Sequence, residues 1–272
     1  MLKLQKIGPI SLLSALPLVL ALLYPVEASA AAAPVVTGTT SSYGVLAGTT
    51  ITNTGTTIIS GDAGNNVGNS PGTTFTNSGT VTMAGGTVHL NDTAAQNAQL
   101  ALTTAYEDVR LRTPVTTIAS DLAGETLTAG VYTTADTSFR NTGILTLDGG
   151  GDPNAMFFFH AGSSLTTADT VASQMHLINQ AQACNVYWQL GSSATLGTYS
   201  TFVGRLYAQT SITAKIGAQI TGQLLARTGS LTLEANTISN PCCNHTVTFK
   251  TNTGTGGAKA PQTENTEARP DE

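Results

Sequence analysis

Five short segments of the sequence share one pattern, in which a serine or threonine is followed by an apolar residue and then by a threonine. They are Thr50-Ile51-Thr52, Ser164-Leu165-Thr166, Ser193-Ala194-Thr195, Ser211-Ile212-Thr213 and Ser230-Leu231-Thr232. Side chains alternate between the two faces of a β-strand. If the central apolar residues point inward, the flanking hydroxyl residues point outward. Such groups supply no catalytic acid or base, but regularly spaced hydroxyls and methyls can organise water.

These segments lie within a longer repeat, which predicts how they are positioned. Residues 204–213 and 222–232 are near-copies that start eighteen residues apart, and residues 44–52 are a third copy. A period near twenty residues without a helical pattern is typical of a β-solenoid. Stacked coils would place the hydroxyl residues in two rows on one flat face, with a spacing of roughly 4.8 Å between coils and roughly 6.5–7 Å along each strand. Threonine favours strands in general, but valine and isoleucine do so too and are absent from these outward positions.

One segment breaks the strand pattern and predicts a helix over about residues 92–112. Residues 94–112 contain neither glycine nor proline, and small and apolar side chains recur at helical spacing on one face. Asn91 or Asp92 can cap the N-terminus of this helix. We expect the helix to lie along one side of the solenoid, where it would cover the outward apolar residues Tyr207 and Leu225.

The composition restricts the partners that the protein can have. Charged residues make up 10% of the 272 residues and the formal net charge is −5, whereas about 25% of residues are charged in ordinary soluble domains. Such a surface suits neither nucleic acid nor anionic membranes.

The N-terminus has the features of a secretory signal peptide, which we assign to residues 1–30. Lys3 and Lys6 precede an apolar stretch over residues 10–23, and Ala-Ser-Ala at residues 28–30 is a suitable cleavage site. The expected mature protein is therefore secreted and has no membrane contact after cleavage. It divides into a flexible lead-in (31–41), a single mainly β solenoid domain (42–243) and a polar, disordered tail (244–272).

Export makes a disulfide bond permissible. The chain has three cysteines, Cys184, Cys242 and Cys243. Cys184 begins one predicted coil and the other two follow the last coil, so a bond from Cys184 to either Cys242 or Cys243 would fasten the C-terminal edge. The cysteines form no CxxC motif and there is no histidine cluster, so we expect neither a metal nor a cofactor.

An enzyme on this scaffold would need clustered carboxylates or a nucleophile with its base. The four histidines, His89, His160, His176 and His245, share no motif. Asp148 and Asp152 flank a glycine-rich segment, where aspartate is more commonly a turn residue. We therefore predict that the protein is not an enzyme.

Two longer segments, residues 145–159 and 183–198, resemble the ice-binding-like proteins, the microbial antifreeze proteins of the DUF3494 type. The resemblance extends over roughly residues 42–243. It implies a right-handed β-solenoid of triangular cross-section, with one long helix along a side and the N-terminal coil packed against the C-terminal one. Members of this family that bind ice use a flat solenoid face, so the expected partner is the surface of an ice crystal, and we expect the protein itself to be a monomer. The residues expected to contact ice are Thr50, Thr52, Ser164, Thr166, Ser193, Thr195, Ser211, Thr213, Ser230 and Thr232.

An alternative function is that of a secreted solenoid with a surface, adhesive or matrix role, in which the hydroxyl rows are ordinary sheet surface. Three charged residues lie near the rows, and because charges hydrate strongly we expect any ice binding to be only weak to moderate. Lys215 and Glu234 fall in the next outward column, and Arg140 takes the threonine position in Ser138-Phe139-Arg140.

Overall fold

The structure is a computed structural model that describes residues 33–241, 245–247 and 262–264, all of which belong to one compact unit. One α-helix, α1 (Thr93–Arg110), and two 3-10 helices, Gly38–Ser42 and Ala183–Asn185, accompany the strands. In chain order the strands are β1 (Tyr43–Ala47), β2 (Thr50–Thr54), β3 (Thr56–Ser60), β4 (Asn66–Asn69), β5 (Thr74–Asn77), β6 (Thr80–Met83), β7 (Val88–Leu90), β8 (Thr116–Ile118), β9 (Thr126–Thr128), β10 (Gly130–Thr134), β11 (Phe139–Asn141), β12 (Ile144–Asp148), β13 (Phe157–Ala161), β14 (Leu165–Thr167), β15 (Gln174–Ile178), β16 (Val186–Leu190), β17 (Ala194–Leu196), β18 (Thr201–Ala208), β19 (Ile212–Ala214), β20 (Gln219–Ala226), β21 (Leu231–Glu234), β22 (Thr237–Ser239), β23 (His245–Val247) and β24 (Gln262–Glu264).

Strands β1 to β22 stack in parallel coils with three sides. The hydroxyl side is a seven-stranded sheet in the order β11-β14-β17-β19-β21-β2-β5. The helix side carries β8, β10, β13 and β16, the second halves of β18 and β20, and then β1, β4 and β7. The third side carries β9, β12 and β15, the first halves of β18 and β20, and then β22, β3 and β6. This confirms the predicted mainly β solenoid fold with one helix.

The order of the coils in the stack differs from their order in the sequence. The first coil, β1 to β3, lies beside the last coil of the C-terminal part. Strands β1, β2 and β3 pair with β20, β21 and β22 respectively. The expectation that the N-terminal coil packs against the C-terminal coil is therefore confirmed. The hydroxyl side consequently combines residues that are far apart in the sequence.

Inside the coils, the inward side chains of most strands form one apolar core. The inward residues of the hydroxyl motifs, Ile51, Leu165, Ile212 and Leu231, are each 0% exposed. Aromatic rings stack along the same interior, with 3.9 Å between the ring centroids of Phe159 and Trp188. Because this burial requires the strand alternation, it also forces the flanking hydroxyl residues outward.

Buried asparagines hold the corner between the hydroxyl side and the third side. Asn53 donates through Nδ2 to the Gly55 carbonyl at 3.1 Å and accepts from Thr57 Oγ1 at 2.6 Å. One coil away, Asn236 donates through Nδ2 to the Lys215 carbonyl at 2.8 Å. These side chains satisfy backbone groups where the chain turns away from the sheet. The corner hydrogen bonds therefore help to keep the hydroxyl side rigid.

The helix α1 begins and ends close to its predicted bounds. Asp92 caps it by accepting a hydrogen bond from the Ala95 N–H at 2.9 Å. Its buried face packs onto the helix side of the solenoid, where Leu102, Tyr207 and Leu225 belong to one apolar cluster. Tyr207 and Leu225 are 0% exposed, which confirms that the helix covers them.

We predict that Leu102→Ala lowers the free energy of unfolding by about 2–5 kcal/mol, the usual cost of deleting a fully buried leucine side chain. Urea unfolding followed by circular dichroism measures the change. Leu100→Ala is the matched control, because Leu100 is on the same helix but 70% exposed, and it should leave stability nearly unchanged. Equal effects of the two substitutions would contradict the packing described for α1.

The segments that flank the solenoid differ in how far the structure describes them. The predicted flexible lead-in contains the 3-10 helix Gly38–Ser42, and the apolar residue Val35 is 6% exposed in the cluster beneath α1. Burial of this side chain explains why the lead-in is ordered there. The predicted signal peptide and most of the predicted tail lie outside the described residues, and β23 and β24 pair antiparallel within the tail. No helix in the described part of the chain is long and apolar enough to cross a membrane.

Candidate functional site

All ten predicted contact residues lie on or beside the strands of the hydroxyl side, which brings them together in two rows. The threonine row is set by strand register, which pairs Thr166 with Thr195, Thr195 with Thr213, Thr213 with Thr232 and Thr232 with Thr52. The row therefore runs straight across five neighbouring strands, at the interstrand spacing of roughly 4.8 Å.

The second row contains the first hydroxyl residue of each motif, namely Thr50, Ser164, Ser193, Ser211 and Ser230. Its serine hydroxyls bond within the face. Ser193 Oγ accepts from the Ser211 N–H at 3.3 Å, and Ser211 Oγ accepts from the Ser230 N–H at 3.1 Å. Ser164 Oγ donates to Ser138 Oγ at 3.1 Å. The serine row is thus partly satisfied by the protein itself and braces neighbouring coils.

The threonine row differs because its hydroxyls are available to solvent. Within the described part of the chain, the side chains of Thr52, Thr166, Thr195, Thr213 and Thr232 make no hydrogen bond to another residue, and each is at least partly exposed. Each threonine presents one hydroxyl and one methyl group. The row is therefore the part of the face best suited to contact ordered water.

The structure adds a sixth strand to this face that the sequence reasoning did not include. Thr50 is in register with Thr74, and Thr52 with Thr76. The segment Thr74-Phe75-Thr76 has the same hydroxyl–apolar–threonine pattern as the five motifs, so the pattern was sufficient to find it. The threonine row therefore has six members, from Thr166 to Thr76.

The other end of the row is interrupted by charge. Arg140 is in register with Thr166, and its Nε lies 3.3 Å from Asp121 Oδ2. Burial would raise the pKa of Asp121, but hydrogen bonds from the Thr142 hydroxyl and N–H, from the Ala123 N–H and from Arg140 outweigh it and hold the pKa below its ordinary value. Arg140, which takes the predicted threonine position, therefore faces a carboxylate that stays ionised.

A second charged site borders the rows on the next outward column. Lys215 Nζ lies 2.7 Å from Asp169 Oδ2, and this hydrogen bond, together with one from the Thr198 N–H, lowers the pKa of the Asp169 carboxyl. The pair is exposed, so its contribution to stability is small. The Lys215–Asp169 pair therefore marks the edge of the uncharged part of the hydroxyl side.

The histidines whose side chains the structure describes are dispersed. His89, His160 and His176 lie on β7, β13 and β15, which belong to two different sides of the solenoid. Burial lowers the pKa of His160, which keeps it neutral between β13 and the end of α1. No group of three or more metal-binding side chains occurs among the described residues.

A three-sided parallel solenoid with a helix on one side and an uncovered threonine row on another defines a class of proteins that present a flat face. The sequence matches the family model described as Ice-binding-like over residues 45–239, so the chain belongs to the ice-binding-like family. It is 42% identical over 221 residues to the ice-binding protein of Nostoc sp. (strain HG1), covering 80% of this chain and 78% of that protein.

The chain is also similar in structure to solved ice-binding proteins. The chain superimposes with a TM-score of 0.71 and 38% identity on an ice-binding protein from an Antarctic biological consortium, covering 78% of this chain and 93% of that one. The ice-binding protein of the Antarctic ascomycete Antarctomyces psychrotrophicus matches with a TM-score of 0.67 and 35% identity, covering 75% and 96% of the two chains.

Proposed function

We propose that this protein binds ice through the hydroxyl side and so inhibits ice growth or recrystallisation. The observation that carries the proposal is the threonine row, whose six members are in register across six strands while the hydroxyls of its members make no hydrogen bond to other described residues. Membership of the ice-binding-like family and the names of the relatives support the same function.

The mechanism needs no catalytic group. Threonine hydroxyls hydrogen-bond water at positions set by the strands, and the methyl groups beside them restrict where neighbouring water can lie. The core and the corner asparagines hold these positions fixed, so little conformational entropy is lost when the face meets ice. Adsorbed protein then blocks the growth of the ice front that it covers.

The experiment that tests this function is a measurement of freezing-point hysteresis and ice-crystal shaping on the purified protein. We expect weak to moderate hysteresis, because the charged residues Arg140 and Lys215 limit the face at one end and along one edge. The alternative role as a secreted surface, adhesive or matrix solenoid predicts neither hysteresis nor shaping. The absence of both would leave that alternative as the function.

We also propose that the protein is secreted after cleavage behind Ala30. The support is the signal-like sequence at residues 1–30 and the non-enzymatic, surface-adsorbing function proposed above. Sequencing the N-terminus of protein recovered from the host medium checks the cleavage position.

The cysteines provide a separate prediction about stability. Cys184 is 3% exposed in the 3-10 helix that precedes β16, while its predicted partners Cys242 and Cys243 lie outside the described residues, so the pairing remains a prediction. We expect Cys184→Ser to lower the free energy of unfolding by about 2–4 kcal/mol, the usual worth of a disulfide. Chemical denaturation with and without reductant measures it, since reductant should destabilise the wild type but leave the variant unchanged. A variant as stable as the oxidised wild type would contradict the disulfide, and peptide mapping would show which cysteine pairs with Cys184.

A further inference from the structure

A groove of about 370 Å³ lies at the end of the hydroxyl side where the threonine row stops. It is lined by outward residues of β11 and β14 and by the turn before β11, including Asp136, Ser138, Arg140, Ser164 and Thr166. Charged groups bind liquid water strongly and do not contribute to an ice-like lattice. This end of the face therefore carries chemistry that the proposed ice binding does not use.

Arg140 is fixed in the groove with hydrogen-bond donors to spare. Its Nε is held by Asp121 Oδ2 at 3.3 Å, and the same carboxylate oxygen accepts from Thr142 Oγ1 at 2.8 Å. The terminal nitrogens Nη1 and Nη2 donate to no other residue in the part of the chain that the structure describes, and the side chain is 62% exposed. The guanidinium is thus oriented by one bond and offers its other donors to a ligand.

The groove lining also supplies acceptors. Asp136 is exposed in the turn before β11 and accepts no hydrogen bond from another described residue. The hydroxyls of Ser138 and Ser164, 3.1 Å apart, also line the groove. The groove therefore presents a carboxylate, a guanidinium and hydroxyl groups within one small concave surface.

The charge balance selects the class of ligand. Asp121 and Asp136 together carry two negative charges against the single positive charge of Arg140, so a negatively charged ligand is disfavoured. A ligand that bonds both to the Asp136 carboxylate and to the Arg140 guanidinium must itself carry several hydrogen-bond donors and acceptors. The volume is at the lower end of the roughly 300–1,000 Å³ of small-molecule sites, which matches about one or two sugar rings.

We propose that this groove binds a neutral saccharide, with Asp136 accepting from its hydroxyls and Arg140 donating to them. The groove meets the threonine row only at its end member Thr166, and the saccharide proposal does not rest on the proposed ice binding. It would allow the protein to attach to neutral polysaccharide while the rest of the hydroxyl side stays uncovered.

The test is titration of the full chain with glucose, cellobiose and, as an acidic comparison, glucuronate, followed by amide chemical shifts in NMR. We expect the neutral sugars to shift amides in residues 136–142 and glucuronate to bind more weakly. Arg140→Thr and Asp136→Asn should each weaken binding about tenfold or more, the usual effect of losing a charged hydrogen-bond partner. Lys215→Gln, which removes a charge elsewhere on the same face, is the matched control and should bind as the wild type does.

Arg140→Thr also separates this proposal from ice binding, because it extends the threonine row by one member. Its hysteresis should rise while its saccharide binding falls, and the rise would show that the variant is folded. Saccharide binding that is unchanged in both Arg140→Thr and Asp136→Asn would overturn the assignment to this groove. The absence of shifts with every neutral sugar would overturn the proposal itself, whatever the hysteresis shows.

Discussion

Thr213→Tyr is expected to remove most of the ice-binding activity. Thr213 lies inside the threonine row, between Thr195 and Thr232, so a tyrosine ring there would stand above its neighbours. The ring would hold the flat face away from a flat crystal, and contacts on both sides of the substitution would be lost together. We expect hysteresis to fall to a small fraction of the wild-type value.

Two control variants locate the contact. Ser211→Ala changes the serine row, whose hydroxyls are partly satisfied within the protein, and should reduce hysteresis only slightly. Gln219→Tyr places the same bulky ring on the third side, where Gln219 is exposed beside Thr201 and Thr237, and should leave hysteresis unchanged. If Thr213→Tyr kept full activity while Gln219→Tyr lost it, the ice contact would lie on the third side instead.

Gly222→Ala is expected to unfold the solenoid. Gly222 lies at the bend of β20 in the left-handed region, with φ +149°, directly above Gly204 in β18. A methyl group at Gly222 would collide with the carbonyl oxygen of Gly204, and backbone of neighbouring coils cannot move apart without breaking their parallel pairing. We expect a loss of more than about 5 kcal/mol, which is exceptional for one substitution and comparable to the whole stability of many domains.

Thermal unfolding followed by circular dichroism measures this loss. The matched control is Gly85→Ala, because Gly85 also has a positive φ, +71°, but no atom lies within 4 Å of the added methyl. It should cost only the conformational penalty of about 1–2 kcal/mol. If both variants melted at the same temperature, close approach of the coils at Gly222 would not be the reason for glycine there.

Much of the site could be predicted from sequence, because the pattern that buries apolar side chains also orients hydroxyls. Once Ile212 and Leu231 are inside, Thr213 and Thr232 must be outside, and the repeat of eighteen residues, with one extra residue in this coil, aligns them on adjacent strands. Thr76 was within reach of the same reasoning, since Thr74-Phe75-Thr76 follows the pattern. The repeat alone does not identify it, because its coil departs from the repeat.

What local pattern could not supply is the order in which the coils stack. Thr52 is a neighbour of Thr232, although they are 180 residues apart in the chain. Only the resemblance to a known family predicted this, because the alternation of side chains contains no information about which coils are adjacent. The same limit applies to the groove beside Arg140, where Asp121 and Asp136 come from segments without any repeat.

The sequence by itself therefore determined the fold class, the single helix and the outward direction of the hydroxyl residues, since each depends on periodicity within one coil. The tertiary structure decided how long the threonine row is and where charge interrupts it. It also decided that the threonine hydroxyls bond to no other described residue, whereas the serine hydroxyls are partly used. Those properties depend on which strands lie side by side, and that is settled by packing between coils that are distant in sequence.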